Sequence, residues 1–170
     1  MTSLRIPAAA CAAPAWALLA AVGIAQAGTT RIPAGRLQLD GHLASSSVDV
    51  SGSGVLGGDG VVGGAVMLAA GGTIAPGRRT QVGELGADAL TWQGGGDIAF
   101  RLGANELASD HIALSGALTR QGTGGWTFRF DDGSAPPTPG ATYTLISFAT
   151  QAGFTAADFS YTYAGNAANL

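Results

Sequence analysis

The segment Ser109-Asp110-His111, with Ser115 close behind it, contains the residue types of a hydrolytic triad. In such a triad the carboxylate orients the imidazole, and the imidazole takes the proton of the serine hydroxyl. The alternation of apolar and polar residues around this segment predicts a strand, in which adjacent side chains point to opposite faces. Asp110 and His111 therefore cannot orient one another, and we predict a structural role for the segment.

Paired carboxylates are the other candidate for catalysis, because glycosidases and polysaccharide lyases use them to hold substrate, water or a cation. Asp131 and Asp132 are adjacent, but the prolines and glycines that follow predict an exposed loop, where acidic residues are ordinarily solvated. Three further acidic residues are scattered along the chain: Glu84, Asp88 and Asp97. The sequence therefore favours no catalytic pair.

Metal ligands are equally sparse. Gly57-Gly58-Asp59-Gly60 is similar to one unit of a calcium-binding glycine-aspartate coil, but it supplies a single carboxylate where the ion prefers about six or more oxygens. His42 and His111 lie far apart and have no cysteine beside them. The glycine runs also lack the Lys-Ser/Thr of a phosphate-binding loop. We predict no catalytic residue, no metal ligand, no cofactor-binding residue and no cofactor.

Trp92 and Trp126 are the large aromatic residues that could stack on a sugar if they were exposed. Burial is the more common fate of tryptophan in a core, because its ring removes a large apolar area from water. We therefore predict that both rings are buried.

The first 27 residues predict a signal peptide. One arginine precedes an uncharged apolar run over residues 6–24, and Ala25-Gln26-Ala27 offers the small residues of a cleavage site before Gly28. A retained membrane anchor is the alternative, although Pro7 and Pro14 interrupt the run. The remaining residues, 28–170, form one domain without cysteine, since Cys11 lies in the predicted signal peptide.

Charged residues make up 11% of the sequence, with a net charge of −3 and no lysine. Removing residues 1–27 removes Arg5 and makes the net charge more negative by one. A basic footprint for nucleic acid is therefore absent. Valine, leucine, isoleucine and aromatic residues are frequent enough to build a core, so general disorder is not expected.

The region of residues 51–77 is punctuated by glycine pairs at 57–58, 63–64 and 71–72, with two to four apolar residues between them. Glycine serves where the backbone adopts positive φ or where chains approach closely. Short strands broken at this pace favour a coil whose turns stack on one another and bury a narrow apolar core. We expect the weakly patterned residues 28–47 to cap this coil.

Beyond the glycine-rich region the period is two, which is typical of half-buried strands. Asp97 to Leu102 and Ile112 with Leu114 alternate in this way, and Trp126, Phe128 and Phe130 form the bulkiest stripe. Leu90 is expected to open a strand of its own.

The order of these segments resembles the repeat of bacterial autotransporter passenger domains. The resemblance rests on GSGVLGGDGVVGGAV at 52–66, AGGTIAPG at 70–77, SDHIALSG at 109–116, and the tail segments YTLISF at 143–148 and FSYTY at 159–163. It implies an all-β fold, a right-handed parallel β-helix or β-solenoid, in a Gram-negative bacterium. In that family the aspartate of the third segment opens a strand. The chain is short for a passenger that also carries an outer-membrane β-barrel, so we expect a passenger-like module lacking the barrel.

The sequence therefore predicts an exported, non-catalytic β-helix scaffold of structural or adhesion type, located outside the cell, on its surface or in the periplasm. Its partners would be extracellular matrix, glycans or other cell-surface components, without nucleic acid and without a transmembrane segment after signal cleavage. Three alternatives stay open. They are a β-sandwich fold, a carbohydrate-binding module and a polysaccharide-active β-helix enzyme.

Overall fold

The computed structural model describes residues 28–165. The predicted signal peptide at 1–27, its cleavage site and residues 166–170 lie outside the described residues. The described part is all-β: a strongly curled sheet of 13 strands with two short 3-10 helices, Glu106–Ala108 and Ala156–Asp158. The strands are β1 Thr29–Gln38, β2 His42–Leu43, β3 Ser47–Gly58, β4 Val61–Leu68, β5 Thr73–Pro76, β6 Glu84–Gln93, β7 Asp97–Leu102, β8 His111–Leu114, β9 Ala117–Gln121, β10 Trp126–Asp132, β11 Ile146–Ser147, β12 Thr150–Ala152 and β13 Phe159–Tyr163.

All registered strand pairs of the described chain are parallel, and they form three ladders. The first ladder aligns Thr30, Val48, Val66, Leu90, Leu118 and Gln151. The second aligns Leu37, Leu56, Ile74, Ile98, Phe128 and Tyr161. The third aligns Leu43, Val62, Ala87 and Leu114, and β11 joins it through Ile146 opposite Ile112. The chain runs through the first, the second and the third ladder in this order and then repeats the order. We call each repetition a pass.

The core lies inside the curl of the sheet. Alternation along each strand turns one apolar side chain inward at every second position, so the inward residues of the three ladders meet. Trp92 is fully buried and Trp126 is 2% exposed, which confirms the predicted burial of both rings. Each indole N–H has a carbonyl partner, Gly96 for Trp92 at 2.8 Å and the Trp92 carbonyl for Trp126 at 3.0 Å.

Glycine pairs allow successive passes to approach closely. A Cβ added at Gly58, where φ is +119°, would lie 1.9 Å from the carbonyl oxygen of Leu39 on the preceding pass. At Gly72 it would lie 2.5 Å from the carbonyl oxygen of Val50. Backbone from the neighbouring pass therefore occupies the space that a side chain would need, as the glycine punctuation predicted.

The strand boundaries confirm some predictions from the sequence and contradict others. The alternating segments Asp97–Leu102 and His111–Leu114 are strands, as predicted. The expectation that a strand opens at Leu90 was wrong, because β6 begins at Glu84 and already pairs there with β8. The expectation that Asp131 and Asp132 lie in a loop was also wrong, because both pair with β7 at the end of β10. Parallel pairing also argues against the β-sandwich alternative, whose sheets are antiparallel.

Residues 28–47 do more than the expected capping. They contain β1 and β2, which join all three ladders as the later passes do. Among the described residues β1 pairs only with β3, so this pass forms one end of the stack.

Candidate functional site

The three longest connections of the described chain lie at one corner, between the second and the third ladder. In the first two passes this corner is short, but in the next three passes it contains residues 77–83, 103–110 and 133–145. At the other two corners the longest connection is residues 153–158, which contains the second 3-10 helix. Binding groups usually lie on loops that a rigid framework positions, so this loop corner is the candidate site.

A groove of about 340 Å³ runs along the outer side of the second ladder beside the loop corner. Its lining includes the small residues Ala75 and Ala99 and the aromatic residue Phe130. The charged residues that line it are five arginines and two aspartates: Arg36, Arg78, Arg79, Arg101, Arg129, Asp110 and Asp131. We call this feature the arginine groove. It adjoins a wider cavity of about 920 Å³, which shares Arg79, Arg101 and Asp131 with it.

Asp110 is the buried anion of this region, with 2% of its side chain exposed. Its carboxylate accepts hydrogen bonds from the Arg101 guanidinium at 3.0 Å, from the backbone N–H of Arg101 at 2.8 Å and from that of Gly83 at 2.9 Å. The other side of the guanidinium donates to the carbonyls of Pro76 and Gln81. Asp110 therefore ties β7 to the loop before β6.

The other members of the triad-like segment are engaged elsewhere. Ser109 Oγ accepts from the Gly103 N–H at 2.9 Å and donates to the Asn105 carbonyl at 2.8 Å. Ser115 Oγ donates to Asp88 at 3.1 Å. Asp110 lies just before β8, which begins at His111, so its own contacts and not strand alternation separate it from His111.

His111 pairs instead with Glu84, with 2.9 Å between His111 Nδ1 and Glu84 Oε2. Both line a second cavity of about 390 Å³, which also includes Glu106 and Thr144. Hydrogen bonding from the Thr144 side chain and then from the Thr144 N–H, at 3.0 Å, lowers the pKa of Glu106. The arrangement brings one imidazole and two carboxyl groups to the same cavity.

Arg36 crosses the outer face of the second ladder. Its guanidinium donates to the side chain of Gln38 at 3.1 Å and to the carbonyls of Ala75 and Gly77 at 3.4 and 3.3 Å. A Cβ at Gly57 would lie 2.1 Å from Arg36 Nη2, so the missing side chain of Gly57 leaves room for the guanidinium. Burial of this group, together with repulsion from Arg101 and Arg79, lowers the pKa of Arg36.

The remaining arginines of the groove differ in their partners. Arg129 is paired with Asp97 at 2.5 Å, and Arg78 Nε lies 3.4 Å from a carboxylate oxygen of Asp40 and of Asp59. Within residues 28–165, Arg36 and Arg79 form no ion pair with a carboxylate. Two guanidinium groups without a carboxylate at ion-pair distance therefore line one groove, while the charges of Asp110 and Asp40 act on Arg36 from farther away.

Asp40 and Asp59 come from successive passes and meet at Arg78. A hydrogen bond of 2.8 Å from Gln38 and, less strongly, the charge of Arg78 lower the pKa of Asp40. The sequence pattern places Asp59 only within its glycine run. Asp40 lies 19 positions earlier, and the register between the strands, not the local pattern, brings the two residues together.

The other acidic residues do not assemble with them. Asp132 accepts from the hydroxyl of Tyr163, and Asp131 Oδ1 accepts from the Asp132 N–H at 2.9 Å. Among the residues that the structure describes, no group of three or more histidine, cysteine, aspartate or glutamate side chains is placed to hold a metal ion. His42 and His111 lie in different strands, β2 and β8.

None of the arginines that form the groove was predicted from the sequence. Arg101 and Arg129 belong to the polar side of an alternating strand, and Arg36, Arg78 and Arg79 belong to no motif. Their common location depends on which strands are neighbours, and no local pattern in the sequence indicates it.

No protein-family profile matches the chain, and the comparison with curated proteins finds no relative. In the described part of the chain, no helix has the length and apolar character needed to cross a membrane.

Proposed function

We propose that this chain is an exported, non-catalytic β-solenoid scaffold of the autotransporter-passenger type, which acts by presenting one elongated outer face and one loop corner to other cell-surface components. The observation that carries the proposal is the repeated passage of the chain through three parallel ladders in a fixed order. In a coil of this kind, the strands of each pass hydrogen-bond only to the passes directly before and after it. The coil can therefore extend as a rod that holds binding groups at fixed spacing.

The apolar interior supports this proposal. Val48, Val50, Leu56 and Val62 of one pass are at most 1% exposed. The next passes place Val66, Leu68 and Ile74 at the equivalent positions. Each pass therefore buries its apolar residues against the next pass, as stacked repeats do.

The predicted leader and the order of the glycine-rich segments support export and the passenger resemblance. The chain carries the leader-like features in the right order, a positive residue, an apolar run and small residues before Gly28.

A carbohydrate-binding module built on tryptophan platforms is a weaker candidate. Trp92 and Trp126 are both buried, so neither ring offers a face to a sugar. A polysaccharide-active enzyme has the His111 cavity as its strongest support, since Glu84 and Glu106 lie beside the imidazole. This enzyme is the second candidate for two reasons. Glu84 engages Nδ1 of His111, and the Ser109 hydroxyl donates to the Asn105 carbonyl and not to an imidazole.

The test is expression of the full chain in a Gram-negative host. We expect the exported product to begin at Gly28 and to give a β-type circular dichroism spectrum. We also expect that it does not cleave polyuronides, either by hydrolysis or by elimination. Beads coated with this product should adhere to cell-envelope preparations more strongly than beads coated with the heat-unfolded product. An intact N-terminus in the cytoplasm, a mainly helical spectrum, turnover of a polysaccharide or equal adhesion of both bead types would each overturn the proposal.

A further inference from the structure

We infer that the arginine groove is a binding site for an oxyanion, a carboxylate or sulfate group, held between the guanidinium groups of Arg36 and Arg79. The inference rests on the groove alone and holds whether or not the chain is exported or adhesive. It names a ligand chemistry that the proposed scaffold function does not require.

Arg36 and Arg79 differ from the other arginines of the groove in their ion pairs. Arg101 is neutralised by Asp110, Arg129 by Asp97, and Arg78 by Asp40 and Asp59. Arg36 and Arg79 have no carboxylate partner in the described chain, although it contains more acidic residues than arginines. Asp131 also lines the groove without an ion pair to any described residue, and its carboxylate accepts from the Asp132 N–H. Among the groove's described charged groups without an ion pair, the two arginines therefore outnumber the one aspartate.

The two arginines also line the same groove. Arg79 is near enough to Arg36 to lower its pKa by repulsion. Like charges gathered in a partly buried place are unfavourable unless an anion joins them. An oxyanion between them would accept charge-assisted hydrogen bonds from both groups.

Arg36 is held in place before any ligand arrives. Its bonds to Gln38, Ala75 and Gly77 fix the guanidinium, and the absent side chain of Gly57 leaves the space that it occupies. Arg79 is exposed and can adjust to the ligand. One donor is already oriented and the other can adapt to the ligand. Binding therefore costs little additional conformational entropy of the side chains.

The size of the groove and of its surroundings limits what can enter. The groove has a volume of about 340 Å³, and Arg79 and Arg101 also line the wider cavity of about 920 Å³. The oxyanion could therefore be a free ion or the charged group of a uronic acid in a longer glycan. Nucleic acid is not favoured, because a phosphate backbone needs many cations and the chain is acidic overall.

The experiment is an NMR titration of the arginine Nε–Hε signals of the full-length chain at constant ionic strength. The probes are sodium sulfate, a trisaccharide of galacturonic acid and a neutral galactose trisaccharide. We expect sulfate or the acidic trisaccharide to shift the signals of Arg36 and Arg79, and the neutral trisaccharide to shift neither. Tighter binding of the acidic trisaccharide than of sulfate identifies a glycan as the source, and binding of sulfate alone identifies a free ion. Either result supports an oxyanion site.

Two variants test the location. Arg79→Ala removes an exposed, unpaired side chain and should leave the fold intact, while affinity falls roughly tenfold, as expected for the loss of one charge-assisted contact. Arg79→Lys should recover part of the affinity. The matched control is Arg31→Ala, since Arg31 is also exposed, lies outside the groove and faces Asp49 at 3.9 Å.

Three results would overturn the inference. They are the absence of shifts with sulfate and with the acidic trisaccharide, an equal loss of affinity in Arg79→Ala and Arg31→Ala, and equal binding of the neutral trisaccharide. Circular dichroism of each variant shows whether the comparison is made between folded proteins.

Discussion

At the scale of single residues, the carboxylate of Asp110 has the most demanding environment. It is 2% exposed, and the donors around it come from Arg101 and Gly83. A buried charge is tolerated only when it is paired and hydrogen-bonded, because desolvation otherwise costs several kcal/mol. Its place in a triad-like sequence therefore reflects a structural bond between β7 and the loop before β6.

We predict that Asp110→Asn lowers the free energy of unfolding by about 3 kcal/mol, because Arg101 keeps its charge while losing its partner. Urea unfolding followed by circular dichroism measures this difference. The matched control is Asp49→Asn, whose partner Arg31 is 79% exposed at 3.9 Å, and it should cost less than about 1 kcal/mol. Equal costs for both variants would contradict a structural role for Asp110.

At the scale of elements, glycine sets how closely neighbouring strands approach. Gly54 in β3 lies beside the register irregularity at Ile32 and Ala34 of β1. A Cβ at Gly54 would lie 1.8 Å from the Ile32 carbonyl oxygen. The strands can therefore keep their spacing at this bulge only when residue 54 has no side chain.

The corresponding prediction is that Gly54→Ala destabilises the chain by about 1–3 kcal/mol, because backbone rather than a flexible side chain must move. Gly125→Ala is the matched control, since the nearest atom to its added Cβ is Thr127 Oγ1 at 4.0 Å. That control should change the free energy of unfolding by less than about 1 kcal/mol. Thermal unfolding of both variants makes the comparison, and a tolerated Gly54→Ala would contradict close approach at this position.

At the scale of the whole molecule, the three ladders form a regular body and the three longest connections lie at one corner. These connections differ in length from pass to pass, while the order of the three ladders stays the same. The arginine groove, the cavity it adjoins and the His111 cavity all lie beside this corner. We therefore expect a ligand of this chain to bind there.

Acid stability is a property of the whole described chain. Hydrogen bonds lower the pKa of Asp40, Glu106 and Asp158 below their ordinary values of 3.8, 4.5 and 3.8. For Asp158 the main cause is the Thr155 N–H at 2.8 Å, followed by the Thr155 hydroxyl. A lowered folded-state pKa contributes stability above the unfolded-state value, and that contribution is lost as the pH falls through the folded-state value.

We therefore expect the urea midpoint to be lower at pH 3 than at pH 6. Asp158→Asn should reduce the difference between the two midpoints, because one of the contributing carboxyl groups is gone. Urea unfolding at both pH values tests this expectation. A midpoint that rises on acidification would show that other groups control the pH dependence.

Strand positions were predictable where an apolar residue recurs at every second position, as in Asp97–Leu102 and His111–Leu114. Prediction failed at Asp131, because the glycine and prolines that follow it indicate a loop, and at Glu84, because the apolar residues after it are few and small apart from Leu85. Both residues belong to strands because the neighbouring passes supply hydrogen-bond partners. Tertiary pairing therefore overrode the local pattern.

By itself, the sequence determined the all-β character, the close stacking that glycine permits and the burial of Trp92 and Trp126. These properties depend on local periodicity, on backbone sterics and on the large apolar area of an indole. Only the tertiary structure decided that Arg36 and Arg79 share a groove and that Asp110 is bound to Arg101. Such meetings depend on the register between passes far apart in sequence, and no local pattern specifies a long-range register.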